Sequence, residues 1–115
     1  MTMSSEVDGV TIFDLDETYD ALDDHRLEQL CDLLLEHVAR TENPRVVLDM
    51  SRTKYINSSF IETVFRTWKR LKDRNGKMAL CCLQEFCLEV LKVTRLDKIW
   101  TICETREDAI KAVAA

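Results

Sequence analysis

The sequence predicts an α/β fold, and three observations carry that prediction. Apolar residues recur at helical spacing in two long segments, two short runs are apolar almost throughout as strands buried on both faces are, and the two kinds of segment alternate along 115 residues. A chain of this length makes one domain, 1–115, whose core needs neither metal nor disulfide to hold it together.

The elements follow in order. Val10 to Leu15 alternates polar and apolar residues in a β-rich stretch and reads as the first strand, with residues 1–8 ahead of it expected to form a flexible terminus. From Asp23 or Asp24, which caps the first helix, Leu27, Leu30, Cys31, Leu34, Leu35 and Val38 make a broad apolar stripe. Pro44 separates that helix from Arg45-Val-Val-Leu-Asp-Met50, a run suited to the middle of a parallel sheet. A second helix spans about Ser58 to Arg74, with Ile61, Val64, Phe65, Trp68 and Leu71 on its inner face, Arg66, Lys69, Arg70 and Asp73 opposite, and Asn75-Gly76 ending it. Lys77 to Leu83 is another buried strand, Phe86 to Thr94 a short helix and Ile99 to Ile102 a last strand. Thr105 with Asp108 is a capping box that opens a C-terminal helix through Ala109, Ile110 and Val113.

Composition excludes several classes of function. The hydrophobic fraction of 46% with 32% charged residues is that of a folded chain rather than a disordered one. The net charge of −5 is a poor match to nucleic acid, whose phosphates need a basic surface, and it is uneven: residues 1–36 hold eleven acidic residues against Arg26 alone. No basic stretch followed by an apolar run opens the chain, and no run is long enough to cross a membrane, so neither export nor membrane insertion is expected. Five cysteines, Cys31, Cys81, Cys82, Cys87 and Cys103, fall mostly in apolar runs, which suits a reducing cytoplasm.

The familiar chemistries find little support. His25 and His37 meet no Cys-x-x-Cys pair at zinc spacing, so no metal is expected. Cys81 and Cys82 sit in an apparent strand, where neighbouring side chains face opposite ways, and read as small core residues. Neither Gly9 nor Gly76 belongs to a phosphate-binding loop, and no cofactor is expected. Asp14, Asp16 and the run Asp20 to Asp24 read as a solvated acidic loop. A receiver-like acidic pocket of Asp14, Asp16 and a phosphoacceptor Asp49 is a remote alternative. Nothing assembles nucleophile, base and oxyanion donors into one site, so the chain is read as no enzyme.

The informative segment is Asp49 to Glu62, which leaves a buried strand, turns, and delivers Asn57, Ser58 and Ser59 to a helix start. Unsatisfied N–H groups and the positive end of the helix dipole favour a negative group there, a phosphoserine included. Ser59 with Glu62 three residues on also reads as a plain capping box.

From Val46 to about Val113 the chain resembles a STAS domain of the anti-sigma factor antagonist type. Val46-Val-Leu-Asp-Met-Ser51 resembles its central strand and Tyr55-Ile-Asn-Ser-Ser59 its hydroxyl-bearing loop. Trp68-Lys-Arg-Leu-Lys72, Met78-Ala-Leu-Cys81, Val90 to Ile99 and Glu107-Asp-Ala-Ile110 resemble its later elements, and Ala21-Leu-Asp-Asp-His-Arg26 its first helix start. The resemblance implies a single STAS-type domain: a small mixed, mainly parallel sheet of four to five strands flanked by about four helices. It implies phosphorylation at Ser59, with Ser58 the next candidate, by a partner kinase that is itself an anti-sigma factor, reversal by a PPM-type phosphatase, and partner contacts at Asn57, Ser58, Phe60, Glu62 and Arg66. A homodimer is left open. Asn57 stands where the family loop carries aspartate, and Phe60 where a small residue follows the serine. Those departures keep open the alternative, a STAS docking module that is not phosphorylated, such as an accessory subunit of an ABC-type lipid transporter.

Overall fold

A computed structural model describes residues 3–19 and 24–114, so the expected helix cap at Asp23 and the first three residues of the Ala21–Arg26 helix start lie outside the described residues. The elements are β1 (Met3–Val7), β2 (Val10–Asp14), β3 (Thr18–Tyr19), α1 (Asp24–Arg40), β4 (Arg45–Asp49), β5 (Tyr55–Ile56), α2 (Ser58–Asp73), β6 (Lys77–Cys81), α3 (Glu85–Val93), a 3₁₀ turn (Leu96–Lys98), β7 (Thr101–Cys103) and α4 (Arg106–Ala114). The main sheet has the order β1-β2-β4-β6-β7 and is parallel except for the β1/β2 hairpin. β3 and β5 form a small parallel pair of their own.

Strand alternation sorts the core into two layers. Phe13 and Leu15 of the β2 strand and its exit, Val46, Leu48 and Met50 around β4, and Met78 and Leu80 of β6 pack with buried residues of α1, α2 and α3. Their neighbours Val10, Ile12, Val47, Ala79 and Cys81 face the other way, onto Ala109 and Val113 of α4. The continuous burial of β4 and β6 is thus the consequence of helices on both faces.

Three expectations are corrected. Residues 3–7 are not a loose end: they pair with β2 through a turn at Asp8 (φ 52°) and Gly9 (φ 79°), the positive-φ geometry that Asp-Gly hairpins adopt. The buried face of α2 is Phe60, Thr63, Val64, Thr67 and Leu71, while Phe65 is exposed and Ile61 and Trp68 half-buried. Threonines can occupy the inner face because the Thr67 hydroxyl donates to Thr63 O at 2.9 Å. The strand expected over Lys77 to Leu83 stops at Cys81 as β6, and Cys82 turns out of it at φ 62°.

The end of α2 matches its sequence signal. Asn75 takes the left-handed conformation (φ 57°), Gly76 N–H donates to Leu71 O at 2.7 Å and Asn75 N–H to Lys72 O at 3.3 Å, a Schellman closure. Gly76 is required by space: a Cβ there would meet Pro44 O at 2.5 Å.

His37 of α1 packs edge-on to Phe13, and its Nε2 is buried with no hydrogen-bond partner. Burial holds its pKa below the ordinary 6.5, against the opposing charge of Glu6. The native state therefore binds fewer protons here than the unfolded chain, so stability is to fall as pH drops through about 6.5 and level off below the folded value. Thermal melts should show that fall reduced in His37→Gln.

Candidate functional site

The site is the α2 N-terminus and the segment leading to it. After β4, Met50 N–H donates to Cys81 O and Thr53 N–H to Met50 O, both at 3.0 Å, closing a turn. Thr53 is wholly buried and its hydroxyl donates to Asp16 O at 2.7 Å; Lys54 N–H donates to Glu17 O at 2.7 Å. Gln84 Nε2 holds Ser51 O at 2.8 Å, and β5 then pairs with β3. The loop is thus fixed on both sides before it reaches the helix.

Asn57 is the N-cap. Its backbone is extended, its Oδ1 accepts from Phe60 N–H at 2.9 Å, and its carbonyl accepts from Ile61 N–H at 3.2 Å. This corrects the reading of Ser59 and Glu62 as the capping box, since Ser59 already lies inside the helix. Phe60 is fully buried. Its expected role as a partner contact is corrected as well, because its ring is a core side chain that anchors the first turn.

Ser58 and Ser59 are left exposed in a first turn that contains no acidic residue. Ser59, Glu62 and Arg66 line, with Leu27, Glu28 and Cys31, a shallow groove of about 240 Å³ between α1 and α2. Arg66 Nη1 lies 3.5 Å from Cys31 Sγ across it. The structure therefore brings together Ser59, Glu62 and Arg66, with Asn57 and Ser58 at the same end. On the other side of the loop, Tyr55 stacks on Phe86 with centroids 5.3 Å apart, and the two rings are 44% and 47% exposed. Spacing did not single out this pair, because the two residues lie in different elements.

The acidic residues at the ends of β2 and β4 are placed differently from expectation. Asp16 is buried rather than solvated. Asp14, Asp49 and Cys81 are register partners across the sheet and face α4, whose first residue, Arg106, bonds Asp14 and donates from Nε to Asp49 Oδ2 at 2.9 Å. Burial would lower the Arg106 pKa, but the Asp14 charge and the bonded Asp49 outweigh it and hold it above its ordinary value. Asp49 Oδ1 accepts from Ser51 N–H at 2.9 Å. Both oxygens of the proposed receiver phosphoacceptor are therefore engaged in holding the sheet edge. Among the described residues no helix is long and apolar enough to cross a membrane.

The profile of the STAS domain family matches residues 2–109. BtrV of Bordetella bronchiseptica, which bears the name of an anti-sigma factor antagonist, is 34% identical over 85 residues, 74% of this chain and 72% of that protein. An anti-sigma-factor antagonist (STAS) domain protein from Planctomyces limnophilus superposes with a TM-score of 0.81 at 28% identity, covering 99% and 98% of the two chains. The Bacillus cell fate determinant SpoIIAA, solved in its phosphorylated form, shares the fold with a TM-score of 0.74 at 16% identity, over 97% and 98%.

Proposed function

The chain belongs to the STAS domain family, and from that membership we propose that it is a regulator of the anti-sigma factor antagonist kind, working by protein binding rather than catalysis. Its α2 N-terminus docks on an anti-sigma factor that is also a serine kinase. Binding releases the sigma factor; phosphorylation of Ser59 ends the binding, and a PPM-type phosphatase restores it.

The observation that carries this reading is the exposed Ser59 hydroxyl on a helix turn made rigid by the Asn57 cap and the buried Phe60. A kinase needs an accessible hydroxyl; a switch needs that hydroxyl on a surface that does not yield when charge is added. Phosphate brings about 1.5 to 2 negative charges and, set beside Glu62 and Glu28 in the same groove, repels an acidic approach and desolvates poorly in an interface. Arg66 at the groove's far end supplies attraction for a partner carboxylate in the unmodified state.

The test is intact-mass analysis of the protein from its native host, with peptide mapping of residues 55–66. One phosphate on Ser59, absent from Ser59→Ala, is expected. Ser59→Glu should weaken partner binding about tenfold or more, a loss of at least about 1.4 kcal/mol. A second reading rests on the exposed Tyr55–Phe86 stack, an aromatic platform that needs no phosphate to bind: a constitutive docking module, such as one seated on an ABC-type transporter. It predicts an unmodified Ser59 under all growth conditions and binding lost in Phe86→Ala.

A further inference from the structure

The C-terminal edge of the parallel sheet holds a row of functional side chains that the STAS switch does not use. Pairing aligns Asp14, Asp49, Cys81 and Cys103 as successive register partners, all on the α4 side. This is the edge where open α/β sheets place ligands. Cys82 adds to the row because it leaves the strand in the left-handed conformation, φ 62°, that a non-glycine residue adopts only under local constraint. The turn brings its thiol back to the side of Cys81. One carboxylate oxygen of Asp49 and the sulfurs of Cys81 and Cys82 then lie within 4.8 Å of one another.

The geometry points to a binding site for a thiophilic divalent cation of the zinc and cadmium kind, with Asp49, Cys81 and Cys82 as ligands. Two sulfurs and one oxygen are a donor set that such d¹⁰ ions accept, with a fourth position left to water or a partner group. Tetrahedral coordination with about 2.3 Å metal–sulfur bonds needs sulfurs about 3.8 Å apart, so a contraction of about 1 Å at most suffices. Cys82, half-buried and outside the strand, is the side of the site that opens toward solvent.

The outer shell is already built. Asp49 is oriented by Ser51 N–H on one oxygen and by Arg106 on the other, as ligating carboxylates usually are. Charge balances too: Asp14, Asp49 and Arg106 sum to one negative charge, and the reaction M²⁺ + 2 RSH → M(SR)₂ + 2 H⁺ leaves that sum unchanged. Burial above all pushes the Cys81 thiol far above the usual thiol range. The reaction releases two protons per ion bound, so affinity is to rise with pH, by up to about a hundredfold per unit.

The experiment is a cadmium titration of the reduced full chain, followed by the ultraviolet thiolate-to-metal charge-transfer band. One ion per chain is expected, with affinity unchanged in Cys31→Ser and Cys103→Ser and weakened about tenfold or more in Cys82→Ser and in Asp49→Asn. Cys82→Gly removes the ligand while suiting the left-handed backbone, so its loss of binding together with an undiminished melting temperature excludes misfolding as the cause. No band, a band that survives in Cys82→Gly, or equal loss in Cys31→Ser overturns the assignment.

Discussion

Phe60→Ala is expected to lower the unfolding free energy by about 3 to 5 kcal/mol, the range for removing a wholly buried aromatic ring. Phe60 is 0% exposed and belongs to the same core cluster as Leu27, Leu34, Leu48 and Leu91, so removing its ring opens a cavity in the main core. Its N–H, which donates to Asn57 Oδ1, is retained by alanine, so the loss reports the buried ring rather than the cap. Total stabilities of domains run from about 5 to 15 kcal/mol, which makes this a large fraction. Urea denaturation gives the number directly. Ser59→Ala, one residue away but exposed, should stay within about 0.5 kcal/mol. A Phe60 that acted mainly as a partner contact would show the reverse: unchanged stability and weakened binding.

Arg106→Ala should cost about 2 kcal/mol, and the loss is to be uneven in its origin. The Asp49 side chain is 7% exposed, so removing Arg106 leaves a carboxylate in the protein with only Ser51 N–H to compensate it. Breaking a fully buried pair costs about 3 to 5 kcal/mol; Arg106 and Asp14 are 39% and 36% exposed, and water moderates the loss. Adding Asp49→Asn to Arg106→Ala should therefore recover part of the stability, a coupling that a double-mutant cycle measures. Arg106→Lys is not expected to rescue, because one ammonium cannot span both carboxylates as the Nε and Nη2 of a guanidinium do.

Much of the fold was legible in the residues, for reasons that are local. Helices α1 and α2 announce themselves through spacing, β4 and β6 through uninterrupted apolar runs, the end of α2 through Asn75-Gly76, and α4 through Thr105, whose hydroxyl does accept from Asp108 N–H at 3.1 Å. The β1 strand was missed although its signal was present: Asp8-Gly9 between Val7 and Val10 is a two-residue hairpin turn, and the polar composition of Met3–Val7 is that of an edge strand. The inner face of α2 departs from the one apolar spacing predicts because threonine can satisfy its hydroxyl on the helix backbone and so occupy a buried position. At the site, Ser58, Ser59 and the capping capacity of Asn57 could be read from residue type and position. The burial of Phe60 could not, since an apolar residue at a helix start faces core or solvent according to how the helix is docked.

What the sequence by itself determined is everything that depends on a few consecutive residues: the α/β class, the order of its main helices and strands, and the placement of two hydroxyls on a helix N-terminus. What only the tertiary structure decided is which distant residues meet. Asp14, Asp49, Cys81 and Cys103 fall into one row because β2, β4, β6 and β7 are in a particular register, and the register of strands joined by helical crossovers is set by how those helices pack against the sheet. Cys82 joins Cys81 because a single left-handed residue reverses the alternation that adjacent strand residues otherwise obey. No local pattern encodes either fact, since both arise from free-energy differences summed over the whole core.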